Sequence, residues 1–439
     1  MNTHKIPHDS YVPLLGNVQY LFSNPQEYLW NAYNRHGKIF RIKIGPFNTV
    51  VLVGPEANEF VLSNKDKIFS NEKGYWFLKN TLGNGILLQD GQEHSETRKF
   101  LYPAFTESNI DLYFYNIYES VSNFLNELTN IENFSLYKKA HFLTFNIACK
   151  IIFGIDIDAS RNLYPIFINY IKSATSISSL LNLNWHGTLY SKSRIAYKEI
   201  SKYILDSLKS DKITNSSNKK LISIMHSSCK HAANYMDEKF IINTLQILFA
   251  SRDTTAHMLC WAIYELANHP DYVNTIRNEL FAYSPTGSLD LNIIKSLTTL
   301  DNFLKEIERL YPPAYILQRG VQQFEYEGYQ IPKGWFVNIS PFLTHRLEEI
   351  YEKPHQFNPN RFCSERLASY PPYSLIGFGG GIHKCIGQYL ALLELKTILI
   401  TLIADFTWKL SPVNFTPIPA FQTFSAISML RLSIHRNLT

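Results

Sequence analysis

The chain has 439 residues, of which 45% are hydrophobic, 14% aromatic and 18% charged. That balance excludes a disordered or low-complexity polymer and supplies ample material for a large core. With 19 Gly and 20 Pro the chain is not collagen-like, and a net charge of +5 (42 Lys+Arg, 37 Asp+Glu) is too mild to argue for nucleic acid.

The first segment, MNTHKIPHDSYVPLLGNVQYLF, has no apolar run long enough for a signal peptide or a membrane span. Residues 39–53 read as a hairpin. Phe40, Ile42 and Ile44 alternate with Arg41 and Lys43, Gly45-Pro46 with Asn48 makes the turn, and Thr49 to Val53 return. Most of the chain from there to about residue 311 reads as helix. The polar segment 209–220, KSDKITNSSNKK, reads as a surface loop.

One long helix is expected from Glu238 to His269, with Asp237 as its cap and Pro270 as its stop; it would span about 48 Å. Its first half, FIINTLQILFA, is apolar nearly all round. Ser251-Arg252-Asp253-Thr254-Thr255 then interrupts it with polar groups that are costly to bury unpaired. A shorter helix over Leu300–Tyr311 ends at Pro312-Pro313. Short strands fill 314–342, loops fill 343–385, and a last long helix begins near Gln388. The apolar run Leu390–Ile403 contains Glu394 and Lys396 and reads as a buried helix. No linker or repeat is visible, so residues 1–439 read as a single, mainly α domain with small β-sheets. Cysteines 149, 229, 260, 363 and 385 are odd in number and contain no CxxC pair. A disulfide framework or zinc site is therefore not expected, and a reducing cytosol is.

The most informative stretch is Phe378-Gly379-Gly380-Gly381-Ile382-His383-Lys384-Cys385-Ile386-Gly387. Glycines permit a tight turn close to a flat group. Loop N–H groups and a following helix N-terminus should lower the Cys385 thiol pKa and hold a thiolate, a good axial ligand for haem iron. This loop resembles that of the cytochrome P450 family, and Phe378, Gly381, His383, Cys385 and Gly387 fill every position of the pattern. Three further stretches match in the right order. Glu306-Ile307-Glu308-Arg309 pairs an acid and a base on one helix face. Phe357-Asn358-Pro359-Asn360-Arg361-Phe362 is similar to the family's second arginine motif. Ala250-Ser251-Arg252-Asp253-Thr254-Thr255 is similar to its oxygen-activation motif.

The resemblance covers essentially the whole chain and implies the P450 fold and a haem-thiolate monooxygenase. It implies that Glu306, Arg309 and Arg361 form a buried charge network. Cys385 would ligate the iron of haem b. His94, Arg98, Arg319 and His383 would serve the propionates, with Phe378, Gly379 and Ala250 also against the haem. Asp253 and Thr254 would deliver protons to dioxygen; Ser251, where the family often has Gly, leaves the detail of that delivery open. Tyr75, Trp76, Phe77, Phe249, Tyr315, Ile316 and Phe424 would line an apolar pocket for a terpenoid, retinoid, steroid or fatty-acyl-like substrate, a task of secondary metabolism. The run Leu180–Trp185 would form a substrate entrance or a membrane-facing surface.

Electrons from NAD(P)H would come through a separate ferredoxin and its reductase, or a flavodoxin-type partner, since no fused reductase or membrane anchor is seen. Lys384, Lys99 and Arg98 would contribute to its basic docking face. A soluble, cytoplasmic, bacterial-type monomer is expected. The segment Glu327–Trp335 looks most like the retinoic-acid hydroxylase and sterol demethylase branch, whereas Thr344-His345-Arg346-Leu347-Glu348 lacks the usual Asp-Pro after His-Arg. The alternatives are a peroxide-using or hydroperoxide-rearranging haem-thiolate enzyme and a haem sensor. None of these needs the acid–alcohol pair Asp253–Thr254.

Overall fold

The computed structural model describes residues 5–13, 15–64, 67–129, 131–214, 220–229, 237–286, 288–411 and 424–437. The expected hairpin is present as β1 (Ile39–Ile44) and β2 (Phe47–Leu52), antiparallel, with Ile39 opposite Leu52. Two residues, Gly45-Pro46, complete the turn, because Gly45 takes a positive φ of 57°. Asn48, expected in the turn, instead faces Lys43 across the ladder. The strands β3 (Phe69–Ser70), β4 (Leu317–Val321) and β5 (Phe336–Ile339) complete a five-stranded sheet in the order β1-β2-β5-β4-β3. Within it β2 and β5 run parallel, Thr49 beside Phe336. A second sheet sets Arg431–Arg436 between Phe134–Ser135 and Phe406–Ser411.

Helices make up most of the rest. Five position the site: α1 (Gly91–Leu101), α2 (Leu136–Phe153), α3 (Asp237–Asn268), α4 (Thr298–Leu310) and α5 (Gln388–Asp405). The long helix α3 ends one residue before the expected His269. Pro270 opens the next helix, and the residue before a proline is pushed out of helical geometry; His269 sits at φ −129°, ψ 68°. Tyr311 leaves α4 before Pro312 for the same reason. The Asp237 side chain, expected as the cap, lies outside the described residues. The segment 209–214, expected as loop, continues the helix Leu189–Thr214, and Lys209 pairs with Asp206 one turn earlier at 3.5 Å; residues 215–219 lie outside the described residues.

The largest core gathers α2, α3, α4 and α5 around Phe145, Leu248, Trp261, Phe303 and Leu399. The first half of α3 is buried as expected, including its polar side chains Asn243 and Gln246. These fasten the chain ahead of α1. Asn243 Oδ1 accepts the Ile86 N–H at 2.9 Å, Gln246 Oε1 accepts the Leu87 N–H at 2.9 Å, and Gln246 Nε2 donates to the Leu82 carbonyl at 3.2 Å. No single described helix is long and apolar enough to cross a membrane.

Candidate functional site

The cysteine loop is closed by its own backbone. The Cys385 N–H donates to the Phe378 carbonyl at 2.9 Å, just before α5 begins. Gly379 and Gly381 take positive φ values of 71° and 59°. Gly381 also passes so close to Leu62 that a Cβ there would lie 1.9 Å from the Leu62 carbonyl oxygen. Only glycine fits. Among the described cysteines, Cys149 and Cys260 are buried, whereas Cys385 is exposed. Burial pushes the Cys385 thiol up, and the Gly387 N–H, Arg98 and Lys384 pull it down without prevailing. This corrects the expectation of a lowered thiol pKa: in the folded chain, burial outweighs the loop N–H and the nearby cations.

Four basic side chains from three elements converge beside this loop. His94 and Arg98 come from α1, Arg319 from within β4, and His383 from the loop. The His94 and His383 rings lie 4.1 Å apart. His383 Nδ1 meets the Asn71 amide at 3.1 Å, and its Nε2 lies 3.7 Å from Asp90. Burial, then His94, Arg319 and Arg98, depress the His383 pKa to about 3. Burial and Arg98 also lower that of His94. Arg319 is buried, and its Nη1 donates to the Gln318 carbonyl at 2.8 Å. Neither Arg98 nor Arg319 has a carboxylate partner among the described residues. Arg98 is turned into this cluster, so of the expected docking residues only Lys99 and Lys384 are exposed.

Behind the loop, Glu306, Arg309 and Arg361 meet in full burial. Glu306 accepts Arg309 Nε at 2.7 Å, Arg361 Nε at 3.1 Å and the Asn358 N–H at 2.8 Å. Arg309 Nη1 donates to the His345 and Pro354 carbonyls at 2.8 and 2.7 Å. The segment lacking Asp-Pro is buried over Thr344–Leu347. His345 accepts the Ile376 N–H at its Nε2 (2.9 Å), which leaves Nδ1 to donate to the Arg309 carbonyl at 3.0 Å.

At the polar break of α3, Thr254 is exposed while Thr255 and Ala256 are buried. Its hydroxyl donates to the Ala250 carbonyl at 2.8 Å. The Ser251 hydroxyl is used on the Leu248 carbonyl at 3.2 Å. Asp253 turns to α2: its Oδ1 lies 2.7 Å from Arg252 Nη1 and 3.0 Å from Nδ1 of buried His141. The residues expected in the pocket divide among three surroundings. Tyr75 and Phe249 pack on the helical core, Tyr315 and Ile316 on the core under β1 and β2. Trp76 is exposed against Phe47 and Phe77. The Phe424 side chain lies outside the described residues. Along the expected entrance, Leu181 and Trp185 are exposed.

A model of the cytochrome P450 family matches residues 7–434. The chain belongs to the cytochrome P450 family. This P450 is 26% identical to putative cytochrome P450 120 of Synechocystis over 92% of its own length and 91% of the other's. It is 26% identical to abscisic acid 8'-hydroxylase 1 of Arabidopsis thaliana, over 91% and 84% of the two chains. Among solved structures, a retinoic acid-bound cyanobacterial CYP120A1 matches all of both chains at a TM-score of 0.85 and 25% identity. The chain is accordingly a monooxygenase of mainly helical P450 fold.

The residues of this P450 fit haem. The group brings two carboxylates and an iron that takes a sulfur ligand. The fold offers an exposed cysteine sulfur at Cys385 and, at Arg98 and Arg319, two guanidinium groups without a carboxylate partner among the described residues. His141, whose Nδ1 lies 3.0 Å from Asp253, was not anticipated from the sequence. It lies on another helix, and no local motif marks it.

Proposed function

We propose that this P450 binds haem b through Cys385 and oxidises a hydrocarbon-rich small molecule, with electrons passed from NAD(P)H by a separate ferredoxin-type or flavodoxin-type partner. The observation that carries the reading is the meeting of Arg98 and Arg319, both without an acid partner among the described residues, with His94 and His383 beside the exposed Cys385. Haem, when bound, supplies dioxygen activation and the oxidising equivalent. In this reading the Cys385 sulfur ligates the iron, the cation cluster holds the propionates, and Phe378, Gly379 and Ala250 border the group.

The chain's own part in the chemistry is proton handling and orientation. The Thr254 hydroxyl, fixed by the Ala250 carbonyl, presents one exchangeable proton at the exposed side of α3. Asp253, fixed by Arg252 and His141, is the adjacent acid that resupplies it. Phe249, Ile316, Tyr75 and Tyr315 are only partly buried against their cores, and in this reading the surface they turn to a substrate is uncharged and disfavours a charged one. The compounds in the names of the hydroxylase relative and the solved structure (abscisic acid and retinoic acid) are both isoprenoids, which favours a terpenoid or retinoid here. Two measurements test the reading. Cys385→Ala should abolish the long-wavelength reduced-CO band of thiolate haem, whereas Cys149, Cys260 or Cys363 replacements should leave it; retention of the band in Cys385→Ala would refute the ligand assignment. A spin-shift titration should rank isoprenoids above polar amines and sugars, and the reverse order would refute the substrate class.

A further inference from the structure

Helix α4 carries two buried acids, Glu306 and Glu308. Two positions apart on a helix, they point to roughly opposite sides. Glu306 is fully committed to Arg309, Arg361 and the Asn358 N–H. Glu308 faces the cysteine loop and has no ion-pair partner among the described residues. It is 6% exposed. Its side chain lies against Gly377, where an added Cβ would stand 2.4 Å from its Cγ and 2.8 Å from its Oε1. The glycine thus makes room for the acid. The Gly377 and Phe378 amides face the carboxyl and act to keep it ionised, as do the more distant Lys384 and Lys305, but burial prevails and raises it to about 7. Beside it, Asp301, Lys305, Lys384 and the loop glycines line an opening of about 390 Å³. Glu308 also acts on the cysteine, disfavouring a second negative charge at the sulfur.

We propose that Glu308 is a positioning residue of the cysteine loop, seated on the Gly377 and Phe378 amides, and that its negative charge lowers the reduction potential of the iron held by Cys385. The inference rests on the haem-thiolate reading above. Above neutrality, where Glu308 is ionised, its negative charge near the ligand sulfur favours the more positive iron, which is the ferric form, so the variants are compared at about pH 8.5. Removing the charge therefore raises the potential.

The test is a spectroelectrochemical titration of the holoenzyme beside its reduced-CO spectrum. Glu308→Gln is expected to shift the midpoint potential upward while the long-wavelength CO band stays. An unchanged or lower potential with that band intact overturns the inference. Glu308→Leu is the second variant; it also removes the acceptor of the Gly377 and Phe378 amides, and it should show the same upward shift. If neither variant takes up haem, the inference is also overturned, because a tuning charge is dispensable for uptake. Absence of the band from the wild-type protein would instead overturn the Cys385 reading.

Discussion

Asp253 and Thr254 are adjacent in sequence and face different surroundings. Thr254 is exposed with its hydroxyl on the Ala250 carbonyl, whereas Asp253 is held against α2 by His141 and Arg252. The two can therefore be separated by mutation. Thr254→Ala removes one hydroxyl and leaves the carboxylate pairing untouched. Haem uptake and the substrate-induced spin shift should persist, while product formed per NAD(P)H consumed falls by roughly tenfold or more, within what a positioned proton donor contributes. Hydrogen peroxide should appear in its place. Unchanged coupling would rule out the proton role.

At the scale of elements, α4 is tied to the loop over residues 345–361 through Glu306. Glu306→Ala would leave Arg309 and Arg361 buried without their acid, a loss of about 3–5 kcal/mol. Urea denaturation should show this as a lower midpoint; a shift below about 1 kcal/mol would mean that backbone carbonyls satisfy both arginines. This network was legible in the sequence because each partner sits in a short, ordered motif, and Pro312-Pro313 marked the end of α4. The cysteine loop was legible for the same reason. Its thiol balance was not, since burial is a tertiary property and here outweighs the Gly387 N–H. Nor was the pairing of His141 with Asp253, which joins two helices far apart in the chain. The helical path of 209–214 was missed because composition alone favoured a loop, while the neighbouring turn supplied Asp206 as a partner for Lys209.

Across the whole molecule, buried titratable groups oppose one another. Burial holds His257 and His345 at about 3, below their ordinary 6.5. The folded chain therefore refuses protons that the unfolded chain accepts, and stability falls as pH drops below about 6.5, by about 2 kcal/mol for each at pH 5. Glu308 and Glu394 act in the opposite sense. Both are raised above their ordinary 4.5, so the folded chain keeps protons that the unfolded one releases, and stability grows as pH falls from 7 to 5. Glu394→Gln removes one of these offsets. Its stability to urea should fall more between pH 7 and pH 5 than that of the wild type; parallel profiles would mean that Glu394 is ionised in the fold. The parallel pairing of β2 with β5 acts on another timescale. Translation proceeds at roughly 5–20 residues per second, so the hairpin emerges from the ribosome well before Phe336–Ile339 exists to cover its edge. Val50, Val51 and Leu52, all fully buried in the finished protein, wait uncovered for on the order of a quarter of a minute or longer. During that interval the nascent chain carries an open apolar strand edge, and any other strand in the cell competes with β5 for it. Lower growth temperature and chaperone supply should therefore govern the yield of this P450 more than the stability of its finished fold.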